Sequence, residues 1–482
     1  MSYFAKQRQN NLFFIYLGIF LLLEFLSWLA WGSPNISWII LVIISVFILF
    51  LLVKDSKYLL YIPLAEIFWG SLGHSFEYNI FNTRLVLFSL VVLVFLIKNI
   101  RHFNKLKILK DKTLFFTYVF LLFLILLGII NGYYNQEDFR KVFLDANAYL
   151  YIIYLPIWYQ VYDSQQLKDI FDILKAAILL VAVKTLILFN IFAQDYSFLN
   201  IDSIYRWIRD TRTGEITAFK DSFFRIFMQS QFYLILAWFL LFTKQLKDFK
   251  NKHNFLLISF ISAALLVSLS RSFFLGVAMG LLFVLVNIFI YQKRYIFLYV
   301  FLNLVAIGLA SILIIQIFYN LPTYKNFNIF TQRSIDSSEA AASTRTQLWG
   351  PMWQTIAQRP IVGHGFGKEI SYQSSDPRIK NINNPDGWHI SYAFEWGWMD
   401  QLVKGGGLLL LIFIVWIIQI YQRLYAKFSE DPILSLTLGA TLTSLLIIHI
   451  FTPYINHPIG LSLLMLITII FGLYAKKTNS YH

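Results

Sequence analysis

Two arginines stand at places where membrane-type sequence seldom carries charge. Arg225 opens the apolar run Ile226–Phe242, and Arg271 sits within Ser270-Arg271-Ser272 between the runs Phe255–Leu269 and Phe273–Tyr291. An arginine costs up to about 3 kcal/mol toward the centre of a bilayer, so a cation at a span boundary calls for a reason. The guanidinium fork matches the oxygens of a phosphate or diphosphate. Snorkelling to headgroups is the other reading of either residue alone. Gln229 and Gln231 follow Arg225 within two turns and are candidates to line the same polar cavity, or to hydrogen-bond a neighbouring helix. Arg206, Arg209, Arg212 and Lys220 form a basic cluster just upstream.

Further along, Arg345 opens the stretch Arg345-Thr-Gln-Leu-Trp349, and His389 comes after Asn384-Pro-Asp386-Gly-Trp388. A neutral imidazole can take the proton of an attacking hydroxyl, although a histidine in a Trp-rich loop also serves structure alone. Gly363, Gly365 and Gly367 could offer backbone amides to phosphate, but a tight turn is the default reading. Glu24, Glu66, Arg140, Asp145 and Lys184 lie in or near apolar runs. Arg140 and Asp145 are expected to pair at a helix end, and Lys184 with Glu24 or Glu66. No His/Asp/Glu group has metal-ligand spacing and the chain has no cysteine, so neither a metal nor a cofactor is expected.

Composition decides what must hold these residues. Of 482 residues, 58% are hydrophobic and only 14% charged, against roughly 25% charged in an ordinary soluble domain. A soluble enzyme, a secreted module and a disordered scaffold are excluded together. Runs of about 20 apolar residues recur along the chain. Twelve are strong, and Tyr58–Gly73 and Ala146–Tyr162 are weaker, so the sequence predicts an all-α polytopic integral membrane protein with 12–14 transmembrane helices. The net charge of +14 reports orientation and lipid contact; nucleic acid is not a partner. With both termini cytoplasmic, 21 of the 40 basic residues fall in short inner loops, including the blocks Lys98–Lys112 and Lys244–Lys252.

That orientation leaves two hydrophilic outer segments, Ala193–Phe224 and Asn320–Lys404. The expected organisation is helices over 1–319, a large outer loop over 320–404 and C-terminal helices over 405–482. Leu348, Met352 and Ile356 recur every four residues, which predicts an amphipathic helix inside the long loop. Gly350-Pro351 should restart or kink it, and Pro360 should end it.

In order, these features resemble the superfamily of O-antigen ligases and O-antigen polymerases, membrane glycosyltransferases with a GT-C-like fold. Four matches carry the resemblance: Arg225 at a span opening, Ser270-Arg271-Ser272 between spans, Arg345-x-x-x-Trp349…Pro360-x-x-Gly363-x-Gly365, and His389 before Gly405-Gly-Gly. They cover the chain from Arg225 onward. His389 is followed by Ile rather than the Asn common in ligases, and it stands farther from the glycine run, which tilts the reading toward a polymerase.

The resemblance implies a donor glycan on undecaprenyl diphosphate at the periplasmic face of the bacterial inner membrane. The acceptor would be another glycan or lipid A–core. Arg225 and Arg271 would hold the departing diphosphate without a metal, helped by Arg345 or by Arg206, Arg209 and Arg212. His389 would be the general base, or would orient the acceptor, and attack from the opposite face would invert the anomeric centre. Membrane lipids and a chain-length regulator complete the expected partners. A lipid-linked-glycan flippase or transporter is the reading from another class, and it predicts polar residues along a midplane path with repeat symmetry.

Overall fold

The structure is a computed structural model that describes residues 3–70, 72–79, 81–135, 138–219, 223–291, 296–319, 340–376 and 379–478. Lys220, Lys293, Arg294 and residues 320–339 of the long loop lie outside the described residues.

The chain is an all-α polytopic membrane protein with three small hairpins. The helices are α1 (Tyr3–Ala30), α2 (Pro34–Lys54), α3 (Tyr58–Trp69), α4 (Thr83–Asn99), α5 (Lys112–Tyr134), α6 (Phe139–Ala146), α7 (Tyr154–Val161), α8 (Leu167–Gln194) and α9 (Ile201–Asp210). They continue with α10 (Phe232–Lys247), α11 (Lys252–Val267), α12 (Arg271–Tyr291), α13 (Ile296–Tyr319), α14 (Ala340–Gln358), α15 (Gly397–Ala426), α16 (Pro432–Phe451) and α17 (Pro458–Thr478). Antiparallel pairs join β1 (Glu77–Tyr78) to β2 (Phe81–Asn82), β3 (Gly214–Ala218) to β4 (Phe224–Met228), and β5 (Ile370–Gln373) to β6 (Trp388–Ser391).

Helices dominate because lipid offers the backbone no hydrogen bonds, so each span must satisfy its own. Among the described residues, eight helices are long and apolar enough to cross a membrane: α1, α2, α5, α8, α12, α13, α15 and α16. Three shorter apolar helices, Tyr58–Trp69, Lys252–Val267 and Pro458–Gly472, add to them.

Two of the expected spans take another form. Ala146–Tyr162 breaks into a 3-10 turn, Tyr149–Ile153, and the eight-residue α7. Eight residues rise about 12 Å, well short of a bilayer core of about 30 Å. Ile226–Phe242 begins as strand β4, turns through Gln229–Gln231, and becomes helical only at Phe232. Its first residues pair with Gly214–Ala218, and that ladder outweighs the apolar run as a helix signal.

The described chain falls into two compact units. The first comprises residues 1–103, 157–331 and 428–441; the second comprises residues 104–156, 332–427 and 442–482. In the first unit α8 and α10 form the interior: Phe232, Tyr233, Leu234, Ile235 and Phe239 are wholly buried. By contrast, α2 exposes Ile39, Val42, Ile43, Val46, Phe47 and Phe50, the apolar surface that a lipid-facing helix presents.

Several charges inside this unit are paired. Lys184 on α8 bonds Glu24 on α1 at 2.7 Å, and Glu24 also accepts from Trp69 Nε1 at 3.0 Å. Glu66 pairs with Arg84 at 2.9 Å.

In the second unit α17 is the interior element, with Leu461, Leu463, Leu464, Met465, Ile467 and Ile469 buried. The amphipathic helix expected in the long loop is α14, and Leu348, Met352 and Ile356 face the core with Ile370, Tyr372, Phe394 and Val403. It runs unbroken through Gly350-Pro351 and stops at Gln358, ahead of Pro360.

Candidate functional site

In the first unit, the hairpin β3–β4 positions Arg225. Its register places Arg225 opposite Thr217, so Arg225 and Phe227 share one face of the strand. Phe227 packs on Phe273, two residues beyond Arg271, at a ring separation of 5.6 Å. The strand face that carries Arg225 therefore lies against the first turn of α12, which Arg271 opens. Arg225 Nε donates to the Ser268 carbonyl at 3.0 Å, and its guanidinium stacks on Phe227 at 5.1 Å. Nη1 stands 3.7 Å from Glu215, a carboxylate that is itself well exposed.

The link between α11 and α12 is tight and polar. Leu269 adopts φ +46°, a left-handed conformation that costs a non-glycine residue on the order of 1–3 kcal/mol. Ser268 is fully buried, the Ser270 amide donates to its hydroxyl at 3.3 Å, and Ser270 Oγ meets Ser272 Oγ at 3.2 Å. The turn delivers Arg271 at a helix N-terminus, half-buried, beside the Arg225 strand. Two guanidiniums and the positive end of a helix dipole make this corner suited to an anion.

The basic cluster precedes it in the chain. Arg206 pairs with Asp202 at 2.8 Å, and Arg209 pairs with Asp210 at 3.0 Å and covers Tyr205. Both are exposed, and such pairs exchange partners readily. Arg212 stands exposed at φ +51° where α9 turns into β3.

The two glutamines differ. Gln229 is half-buried, and its backbone amide donates to Thr213 at 3.0 Å. Gln231 is wholly buried: Nε2 donates to Thr185 Oγ1 and the Ile226 carbonyl, and Oε1 accepts from the Met228 amide. That side chain ties the strand-to-helix corner together.

In the second unit, Arg345 lies on α14. Its Nε meets Glu395, and its carbonyl accepts from Trp396 Nε1 at 2.9 Å. His389 lies on β6 opposite Tyr372, and the two rings meet edge-on at 5.6 Å. Burial pushes the Tyr372 phenol up from its ordinary value, so it stays protonated beside the imidazole.

The glycine run is a turn threaded against helices. Gly365 sits at φ +97°, and a Cβ there would come within 2.1 Å of the Gly132 amide on α5. The amides along the turn are taken by the protein: His364 N donates to Val403, Gly365 N to Lys404, Phe366 N to Gly128 and Gly367 N to Asp145 Oδ2. Gly406, at φ +66°, interrupts α15 where this turn docks. None of these amides points at a ligand.

Behind the turn, Lys404 bonds both Asp145 and Asp400 at 2.5 Å, and Asn456 donates to Asp400 at 2.6 Å. Asp145 thus pairs with Lys404 rather than with Arg140. His364 Nε2 donates to the Thr355 carbonyl at 2.8 Å, and burial holds its imidazole below the ordinary histidine range.

Sequence reading passed over two groups. Asp400 and Lys404 form an i, i+4 charge pair close to an apolar run, and that spacing could have marked them. The other is His74, which bonds Glu77 in the loop between α3 and α4. Among the described residues no group of His, Asp or Glu is arranged to hold a metal.

The segment carrying Arg271, Arg345, His389 and both glycine runs is the part of the chain that resembles a known family. Residues 255–414 match the family model for O-antigen ligase. The match supports membership of the O-antigen ligase and polymerase superfamily, a group of glycosyltransferase-like membrane enzymes acting on lipid-linked glycans. Arg225 and His74 lie ahead of the matched segment. No curated protein and no solved structure matches the chain significantly.

Proposed function

We propose that this O-antigen-ligase-type protein is a glycosyltransferase that extends or transfers an undecaprenyl-diphosphate-linked glycan at the periplasmic face of the inner membrane, most consistent with a polymerase. The observation that carries this reading is the convergence of Arg225 with the α11–α12 link that presents Arg271. The glycosidic bond to diphosphate is already activated, so the protein has to stabilise the charge that gathers on the leaving group. Preorganised cations in a water-poor site are the largest single device for this.

Arg225 and Arg271 take that role here. Arg206, Arg209 and Arg212 are reserve contacts for the donor, and the resemblance also implies Arg345 as a substrate-binding residue. Gln229 borders the same corner, whereas Gln231 positions the strand on which Arg225 stands. The acceptor oxygen bonds to the anomeric carbon as the carbon–diphosphate bond breaks, which inverts the centre and needs no metal. The hydroxyl proton goes to a histidine base, and the resemblance implies His389 to orient the acceptor.

A ligase that delivers the glycan to lipid A–core uses the same leaving group and is the second reading, supported by the family description itself. Deletion of the gene followed by a lipopolysaccharide gel separates them. Core capped by a single repeat is the expected result. Bare core indicates the ligase, and unchanged banding contradicts both.

A further inference from the structure

His74 and Glu77 occupy the loop that joins α3 to α4, within the first unit. The imidazole is largely buried, with 16% of its side chain exposed, and its Nδ1 meets Glu77 Oε2. With Glu77 ionised, that bond places the proton on Nδ1 and leaves the Nε2 lone pair free to accept another. A carboxylate holding an imidazole in this tautomer is the arrangement that makes histidine an effective base. No such partner holds His389 among the described residues, where an edge-on tyrosine ring is its neighbour.

The loop is rigid. Glu77 N donates to Ser37 Oγ at 3.0 Å, and Thr83 binds back to the Gly73 and Phe76 carbonyls. Phe76 anchors it in the core cluster formed with Ala30 and Leu41. Ser27 then joins the loop to the basic segment: its hydroxyl donates to the Ser75 carbonyl at 3.3 Å and accepts from Trp207 Nε1 on α9 at 3.2 Å. A second tie runs from Trp31 Nε1 to Asp210 at 3.2 Å. These ties set the loop beside the basic segment, where α9 leads through Arg212 into the β3–β4 hairpin and Arg212 is among the charges that act on His74.

We infer that His74, oriented by Glu77, is the general base that accepts the proton of the acceptor hydroxyl during glycan transfer. The inference rests on the glycosyltransferase reading above. In the step, the acceptor oxygen forms its bond to the anomeric carbon, and the electron pair of the breaking carbon–oxygen bond leaves with the polyprenyl diphosphate. The proton passes to Nε2, and the imidazolium is held by the Glu77 carboxylate until it is lost to water. The charged groups around the ring are Glu77, which favours the cation, and Arg212 and Arg84, which oppose it. Burial is the largest influence and pushes the imidazole below its ordinary value, so the base form prevails at neutral pH.

The test uses the full-length protein in lipid nanodiscs, with a synthetic undecaprenyl-diphosphate-linked oligosaccharide as donor and acceptor. H74Q should lower turnover by about 100-fold or more, in the range that general bases supply, while donor binding and thermal unfolding match the wild type. The wild-type rate profile should fall on the acid side, and that limb should vanish in H74Q. E77Q folds the same loop with a neutral amide; loss of the carboxylate should move the acid limb to lower pH and reduce the rate. Wild-type turnover in H74Q, with its acid limb intact, overturns the assignment. A wild-type protein that turns over no polyprenyl-diphosphate glycan overturns the functional reading together with it.

Discussion

Arg225 and Arg271 were legible in the sequence because a cation in apolar surroundings stands out. Their partners were not, since nothing in the chain links Arg225 to the Ser268 carbonyl 43 residues away. His74 stayed hidden for the opposite reason: a histidine three residues from a glutamate in a short polar loop looks like any solvated pair. Gln231 reads as a residue that either lines a cavity or bonds a neighbouring helix, and in the structure its amide bonds Thr185 on α8 and closes the corner at Ile226 and Met228. His364 illustrates what burial adds. Its neutral ring donates to Thr355, so the folded state resists protonation that the unfolded chain accepts at about pH 6.5. The contribution is complete above that pH and is lost progressively as pH falls toward the depressed folded value. Thermal unfolding in detergent between about pH 7 and pH 5 should show a shallower loss of stability in H364Q, whose amide keeps the bond to Thr355 without titrating. An unchanged slope would mean that the histidine is not held neutral.

At the scale of elements, α14 was predictable because Leu348, Met352 and Ile356 keep helical period through an otherwise polar stretch. The β3–β4 hairpin was not, because Phe224–Met228 runs without a break into the apolar residues of α10, and only its partner strand reveals the pairing. The glycine turn was readable as a turn, but its contacts with α5 and α15 come from chain segments far apart in sequence. Its anchor is Lys404, one buried cation between two buried carboxylates. Removing one member of such a group costs about 3–5 kcal/mol, because the remaining charges lose their partner inside the protein. Lys404→Met should therefore destabilise the protein by that amount in detergent unfolding, and adding Asp145→Asn and Asp400→Asn should recover much of the loss. Equal stability of the wild type and the single variant would show that the lysine does not carry this turn.

For the whole molecule, fold class came from composition alone, since 14% charged residues leave lipid as the only suitable solvent for most of the chain. The grouping of segments was beyond that reading. Residues 1–103 and 157–331 gather in one unit, while residues 104–156 leave it to join the chain's later segments. Only contacts between distant segments reveal such a division. The charge pattern sorts the basic residues by expected side and leaves a small outer group, from which the proposed function takes Arg225 and Arg271 as the site for a leaving diphosphate. Transfer of a labelled glycan from its undecaprenyl-diphosphate carrier, measured with purified wild type, R225A and R271A in nanodiscs, tests this most directly. Each variant should insert and unfold like the wild type yet lose at least about 100-fold in transfer, the scale at which removal of a single charge-stabilising donor is felt. Wild-type transfer by either variant would contradict that role for the pair.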